Sequence, residues 1–526
     1  MNFLEKLELP ISEGAKKLLL RDVFREAVRR SRYALPSTGF VVTKRYREFQ
    51  EKYVYDPVNF VLDCIKWDKG KYPTDYQLEI LGQVVERGRA SVRGPRGLGK
   101  TAMLSWIVHW FALTRDFEDW KIPTTASSWP QLSKFLWPEI HKWARALRWN
   151  VIGRPPYDMR TELLMLRLRL SSGEAFAISH ERAELMEGAH ADHILYLFDE
   201  GKSIKDEIFD SAEGSLATGT GDQQEAFALA FSTPGEPVGR FYDIQSRKAG
   251  FEDWWVRKVT KEEAIKAGRI SRAWVNARRR QWGESSVLFQ NHVEGEFASS
   301  GMDTVISLPL VEAAISRWYE VEENNDWGDF IGLGVDVGRG GDKSTIGIRH
   351  EAGIKEIRMY SDRDTMAIVG YVKGILNAYN NVGTATIDVI GIGAGVVDRL
   401  REQEFSHRQI LAFNAGSRSD RTDKSGEIKF LNARSAAWWH MRELLEEGII
   451  ALPPDDLLIG DLVTPKWKMT STGKVAIEGK EDIRKRISRS TDSADCVIQA
   501  YFDEELVDSA DMLDLGTVED YVSPWR

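Results

Sequence analysis

Residues 94–101 read Gly94-Pro95-Arg96-Gly97-Leu98-Gly99-Lys100-Thr101, and GPRGLGKT fits G-x-x-x-x-G-K-[ST] without a mismatch. The octet follows a short candidate strand, Arg89–Arg93, and opens a long apolar stretch, TAMLSWIVHWFAL. A strand before and a helix after is the setting that a phosphate-binding loop needs. Gly94, Gly97 and Gly99 let the backbone turn its N–H groups toward phosphate oxygens, and the helix N-terminus adds the positive end of its dipole. Lys100 is placed to reach the β- and γ-phosphates, and the Thr101 hydroxyl to ligate Mg²⁺. Arg96, inside the loop, is a candidate arginine finger; a solvated loop arginine is the plainer reading. Arg93 is a weaker candidate.

Downstream, His193–Glu200 reads HILYLFDE, an apolar strand ending in two acids. Asp199 is expected to hold Mg²⁺ directly or through water, and Glu200 to polarise the attacking water. Alone, such a pair would equally cap the next helix; the phosphate loop roughly 100 residues upstream favours catalysis. Gln77, in YPTDYQLEIL, is a candidate reader of the adenine amino edge, with a helix-start glutamine as the alternative. Ser232-Thr233-Pro234 ends the run FALAF and could sense the γ-phosphate. Candidate strands Ile122–Ala126, Ile194–Phe198 and Phe227–Phe231 alternate with helical segments, which points to a mostly parallel sheet.

A second apolar run, Phe330–Val337 (FIGLGVDV), breaks into Gly338-Arg339-Gly340-Gly341, with Asp342 in that turn, and returns along Ser344–Arg349. Asp336 lies within it, and a charge in such a run is costly unless it is paired or binds metal. Asp388 ends the apolar stretch that opens TATIDVIGIGAG, and STDSADCV puts Asp492 and Asp495 on one face of a helix start. Separated acids of this kind suit two Mg²⁺ or Mn²⁺ ions that activate water and steady a leaving phosphodiester oxygen. Lys474, Lys480, Arg484, Lys485, Arg486 and Arg489 precede them and could guide a DNA backbone, or form a solvated basic face. Gly391, Gly393 and Gly395 run G-x-G-x-G, the wrong spacing for a dinucleotide site. The fold class expected is α/β: a P-loop NTPase domain with a parallel sheet, followed by a ribonuclease H-like α/β nuclease domain.

The chain has 526 residues and a formal net charge of −9, against a passive DNA-coating protein but not against an enzyme with a local basic patch. Only Cys64 and Cys496 occur, far apart and outside any metal-ligand spacing; two reduced thiols in a cytosolic compartment are expected. There is no apolar run of about 18 residues and no basic-then-apolar leader, so neither a membrane span nor a secretion signal is expected. The expected organisation is an N-terminal helical segment over 1–60, an ATPase domain over 61–300, a linker over 301–328, a nuclease domain over 329–505 and an acidic tail over 506–526. Within the first segment, Ala15–Arg32 reads as a helix with a basic face. The tryptophans between Trp106 and Trp149 read as core.

The order GPRGLGKT, TASSWPQL, LYLFDE, STP, EGEF, GVDVGRGGDKS, DVIGIGAGVVDRL, STDSADCV resembles the large terminase subunits of tailed phages, across roughly residues 70 to 500. The phosphate loop and LYLFDE are shared with many ATPases; GVDVGRGGDKS followed by DVIGIGAG is more specific. The last motif of the family often reads SPDxxDA, and here Thr491 stands for the Pro and Cys496 for the Ala. The resemblance implies an ATPase that drives double-stranded DNA into a procapsid and a nuclease that cuts concatemeric DNA when packaging begins and ends. It implies a portal protein, a small terminase subunit and a homo-oligomeric ring on the portal. It also implies work in the host cytoplasm, transiently on the procapsid and not in the mature virion. By position it assigns ATP and Mg²⁺ to Lys100, Thr101, Asp199 and Glu200, matches Arg96 to the family's loop arginine, and assigns the nuclease metals to Asp336, Asp388 and Asp492 or Asp495. A helicase or remodelling ATPase explains only the first half and a repair or resolvase-type nuclease only the second, while the presence of all the key side chains argues against a non-enzymatic scaffold with dead remnants of both.

Overall fold

The computed structural model describes residues 43–502 apart from 180–188, 219–224, 300, 302, 339–342, 363, 381, 404 and 488. The helix expected over Ala15–Arg32, Asp342 with its turn, and the expected tail over 506–526 lie outside the described residues. By contact density the chain divides into two units, Met1–Ile270 and Ser271–Arg526.

The first unit is built on β1 (Arg89–Arg93), β2 (Trp120–Ala126), β3 (Leu163–Leu164), β4 (Arg167–Arg169), β5 (Glu174–Ala177), β6 (His193–Asp199), β7 (Glu225–Ser232) and β8 (Trp255–Lys258). Their order in one sheet is β3-β4-β5-β2-β6-β7-β1-β8. The run from β5 to β8 is parallel, and the β3–β4–β5 edge is antiparallel. All seven residues of β6 are buried, as a strand covered on both faces requires. The register pairs Arg93 with Ser232 and Asp199 with Phe231, so β1, β6 and β7 end at one edge. Two helices frame that edge, α1 (Asp75–Arg87) and α2 (Lys100–Thr114). Apolar on every side, α2 buries 13 of its 15 residues. Trp67, Trp106 and Trp143 meet with ring centroids 5.2–5.3 Å apart, which accounts for part of the tryptophan-rich stretch as core.

At the opposite end of the sheet, His193 sits between Glu118 (2.8 Å) and Glu225 (2.9 Å). Arg115 Nε donates to the same Glu225 oxygen at 2.9 Å. Burial opposes the charge on His193, yet the two carboxylates raise its pKa to about 9.

The second unit begins its sheet with β9 (Phe330–Asp336), β10 (Ser344–His350), β11 (Gly353–Tyr360), β12 (Thr384–Asp388) and β13 (Ile410–Phe413). The order is β11-β10-β9-β12-β13, with β9 to β11 antiparallel and β12 and β13 parallel to β9. This is the strand order of a ribonuclease H-like sheet, and the first unit carries that of a P-loop NTPase. Leu308–Asn324, inside the stretch read as a linker, is a helix, α3, with Leu308, Val311 and Ala314 buried. Next come α4 (Thr365–Ala378), α5 (Gly393–Glu402), α6 (Ala433–Glu447), α7 (Lys480–Ile487) and α8 (Asp492–Ala500). The apolar faces of α4 and α5 meet Leu333, Val335, Ile346 and Ile348 in one core. Helix α8 lies so close to β9 that a Cβ on Gly334 would meet Cys496 O at 1.9 Å and Ala500 N at 2.3 Å. The glycine in LGVDVG is therefore a close-approach residue. A small sheet, β14 (Lys429–Phe430), β15 (Trp467–Met469) and β16 (Lys474–Ile477), is ordered β14-β16-β15.

Candidate functional site

In the first unit the loop between β1 and α2 takes left-handed backbone at Gly97 (φ 88°) and Gly99 (φ 76°), where a side chain would be strained. Lys100 is buried and its Nζ donates to Pro95 O at 3.3 Å, folded back over its own loop. Burial lowers its pKa, against the pull of Glu200 and Asp199. Thr101 Oγ1 donates to Asp199 Oδ2 at 3.4 Å. Thus the hydroxyl and the carboxylate read as magnesium ligands face each other across the edge of the sheet. Burial, then the neighbouring Glu200 charge, raises Asp199 to about 7.

Glu200 follows β6 in left-handed backbone (φ 52°, ψ 49°), an unusual state for a glutamate and one that tends to persist at functional turns. Ser232 and Thr233 donate to its Oε2 at 3.1 and 3.2 Å. The Ser/Thr pair expected to sense phosphate therefore holds Glu200 in this structure. Gly201 follows directly, and a Cβ there would meet Phe241 Cδ2 at 3.0 Å. That contact brings the Gly239–Tyr242 segment against the turn that carries Glu200.

Arg96 is half-buried and near enough to Lys100 to lower its pKa. Gln77 is fully buried. Its Nε2 donates to Leu98 O at 3.2 Å, and its Oε1 accepts from Thr74 N and Arg269 Nη2, both at 3.0 Å. Tyr76 OH adds a second bond to Leu98 O at 3.0 Å. The structure places the Gln77 amide under the phosphate loop, with both ends engaged by the protein. Sequence reading did not find Arg269, which no local motif marks.

In the second unit, Asp336 ends β9, Asp388 ends β12, and Asp492 and Asp495 occupy the first turn of α8. Asp336, Asp388 and Asp492 line one cavity of about 400 Å³, together with Lys480, Arg434 and Arg484. The packing of α8 on β9 brings these distant acids together. Lys480 Nζ lies 2.8 Å from Asp336 Oδ1 and 3.2 Å from Asp495 Oδ2. Asp495 also accepts from Arg434 Nη1 at 2.7 Å and Thr491 Oγ1 at 2.9 Å. Burial raises Asp336 to about 7 despite Lys480. Burial also raises Asp388, whose Oδ1 accepts from Ile390 N at 2.9 Å. Burial would raise Asp495 too, but the Arg434 and Lys480 charges outweigh it and hold the carboxyl at about 2. Asp461, missed from sequence, accepts from Ser493 N at 3.1 Å and pairs with Arg489, which anchors the start of α8.

Among the described residues, no three His, Cys, Asp or Glu side chains stand close enough, as placed, to share an ion. The donor set is nevertheless of the right chemistry: three carboxylates on one cavity, with the Lys480 ammonium supplying positive charge between Asp336 and Asp495. Of the basic stretch, Arg486 pairs with Glu478, Arg489 with Asp461 and Lys485 with Asp482, while Arg484 faces the cavity.

The chain is 25% identical over 468 residues to the probable terminase large subunit of Enterobacteria phage P7, covering 85% of this chain and 90% of that protein. Over most of its length the chain is thus similar in sequence to a phage terminase large subunit. Two solved terminase structures are also similar. The nuclease domain of the large terminase subunit gp2 of bacterial virus Sf6 is 16% identical, covering 38% of this chain and 98% of its own, with a TM-score of 0.32. The large terminase of a thermophilic bacteriophage, in complex with ADP, is 12% identical, covering 82% of this chain and 99% of its own, with a TM-score of 0.38. No protein-family profile matches this chain. None of its described helices is long and apolar enough to cross a membrane.

Proposed function

We propose that the chain is a terminase large subunit, in which an ATPase drives double-stranded DNA into a procapsid and a nuclease cuts the concatemer at the start and end of packaging. The observation that carries this reading is the presence in one polypeptide of two sites for phosphate chemistry. One is a phosphate loop facing Asp199 and Glu200; the other is a cavity lined by Asp336, Asp388 and Asp492.

In the ATPase, Gly94, Gly97 and Gly99 shape the loop that receives the phosphates, and Lys100 leaves Pro95 O to neutralise the β- and γ-oxygens. Arg96 adds charge beside the transferring group. Thr101 and Asp199 would hold Mg²⁺, which neutralises charge on the phosphates when bound. Glu200 orients the attacking water, with Ser232 and Thr233 fixing its carboxylate. Movement of Glu200 on hydrolysis is passed through Gly201 to Phe241, which gives the Gly239–Tyr242 segment a relay role. Gln77 serves the phosphate loop rather than the base, because its amide is engaged beneath Leu98.

In the nuclease, Asp336, Asp388 and Asp492 would hold two Mg²⁺ or Mn²⁺ ions, which activate water and stabilise the leaving oxygen when bound. Asp495 acts as the anchor that positions Lys480 and Arg434, since both of its oxygens are already engaged. Arg484 meets the DNA backbone at the mouth. The partners that fit are concatemeric double-stranded DNA, a portal protein, a small terminase subunit and further copies of the chain in a ring. The setting is the host cytoplasm, on the procapsid.

The test uses supercoiled plasmid and Mn²⁺, with purified portal in a parallel ATPase assay. Nicking that Asp336→Asn abolishes, together with ATP turnover that portal stimulates, is the expected outcome. Turnover indifferent to portal and stimulated by single-stranded DNA would favour a helicase instead.

A further inference from the structure

Arg434 lies in the first turn of α6 and helps line the acid-lined cavity. Its side chain is nine-tenths buried, with a relative exposure of 10%. Nη1 donates to Asp495 Oδ1. The other two guanidinium nitrogens, Nε and Nη2, are buried and have no hydrogen-bond partner. Unmet donors on a buried cation are costly, and in a native protein they call for an acceptor that the fold itself does not provide. Asp495, the acceptor that Arg434 does reach, is already shared with Thr491 and Lys480, and Lys480 also holds Asp336.

A guanidinium is a planar fork that matches two oxygens of a phosphate, whereas an ammonium binds as a point charge. A phosphodiester entering beside three carboxylates is repelled unless a cation holds it. Lys480 is spent between two acids, so Arg434 is the cavity-lining cation with identified unmet donors.

We infer that Arg434 is a phosphate-binding residue of the nuclease site, which grips a DNA phosphodiester next to Asp336 and Asp388 while Asp495 braces the guanidinium from behind. Both orphan nitrogens are covered in the free protein, so the grip forms as the guanidinium turns toward the entering strand. This inference rests on the nuclease reading above.

The test uses the full chain, a short fluorescein-labelled DNA duplex in EDTA for binding, and plasmid cleavage in Mn²⁺ for kinetics. Arg434→Lys keeps a charge for Asp495 but presents no fork; Arg434→Met removes both. Arg434→Lys is expected to fold, to bind the duplex about tenfold more weakly and to raise KM more than it lowers kcat. Arg434→Met is expected to reduce the slope of log affinity against log salt by about one phosphate contact, which a purely structural role would not move. Wild-type affinity and KM in Arg434→Lys would overturn the inference, and that variant decides the question if Arg434→Met fails to fold. Wild-type protein that leaves plasmid uncut in Mn²⁺ would instead sink the nuclease reading.

Discussion

Gly334→Ala adds one methyl group at the point where β9 and α8 touch. The new Cβ would stand 1.9 Å from Cys496 O and 2.3 Å from Ala500 N, both backbone atoms that no rotamer change can move. Restoring an ordinary carbon–oxygen contact requires α8 to retreat by roughly 1.5 Å, on the scale of close packing. Overpacking of this kind costs about 1–3 kcal/mol. For a unit of this size each kcal/mol lowers Tm by about 2–4 °C, so a drop of roughly 2–12 °C is expected. The functional effect is larger, because α8 carries Asp492 and Asp495 and a displacement near 1 Å can cost about a hundredfold in rate. Differential scanning calorimetry and plasmid cleavage in Mn²⁺ read the two effects, and ATP turnover, proposed above for the other unit, serves as the control. A variant with wild-type Tm and wild-type cleavage would show that α8 does not depend on this contact to place its acids.

The two acids of α8 are expected to part company. Asp492→Asn abolishes cleavage with little change in Tm, whereas Asp495→Asn leaves Arg434 and Lys480 short of a partner and destabilises the fold by about 3–5 kcal/mol, read by urea titration. Gln77→Ala weakens ATP and GTP binding by the same factor if the amide supports the loop; selective loss of ATP in a nucleotide-competition assay would restore the adenine-reading role. His193 has a folded pKa near 9 against about 6.5 unfolded, so its contribution of roughly 3 kcal/mol is fully present below pH 6.5 and is lost as pH rises through 9. Calorimetry across that window should show wild-type Tm falling more steeply than that of His193→Gln; parallel curves would remove His193 from the account.

The phosphate loop was legible because all its parts are local: strand, turn and helix lie within about 25 residues, and Arg89–Arg93 is the strand read from sequence. The apolar runs that became β6 and β9 were legible for the same reason, since a strand buried on both faces is apolar almost throughout. What escaped the sequence is contact across distance. Lys480 meets Asp336 over 144 positions, and Arg434 meets Asp495 over 61. Lys480 sits in a stretch that reads equally as a solvated basic face, and nothing in the sequence around Arg434 marks it. Gln77 illustrates a different limit: its neighbours Leu98, Thr74 and Arg269, which the amide meets in the fold, come from three separate stretches of sequence. The antiparallel edge formed by β3 and β4 was missed because strands of two and three residues carry almost no periodicity.

The most direct measurement of the central claim is packaging of DNA into purified procapsids by wild-type chain, Glu200→Ala and Asp336→Asn, with concatemeric and pre-cut linear DNA side by side. The account predicts that Glu200→Ala protects neither substrate from nuclease, while Asp336→Asn packages linear DNA and fails to trim the concatemer. DNA protected by Glu200→Ala, or a concatemer still trimmed by Asp336→Asn, would contradict it.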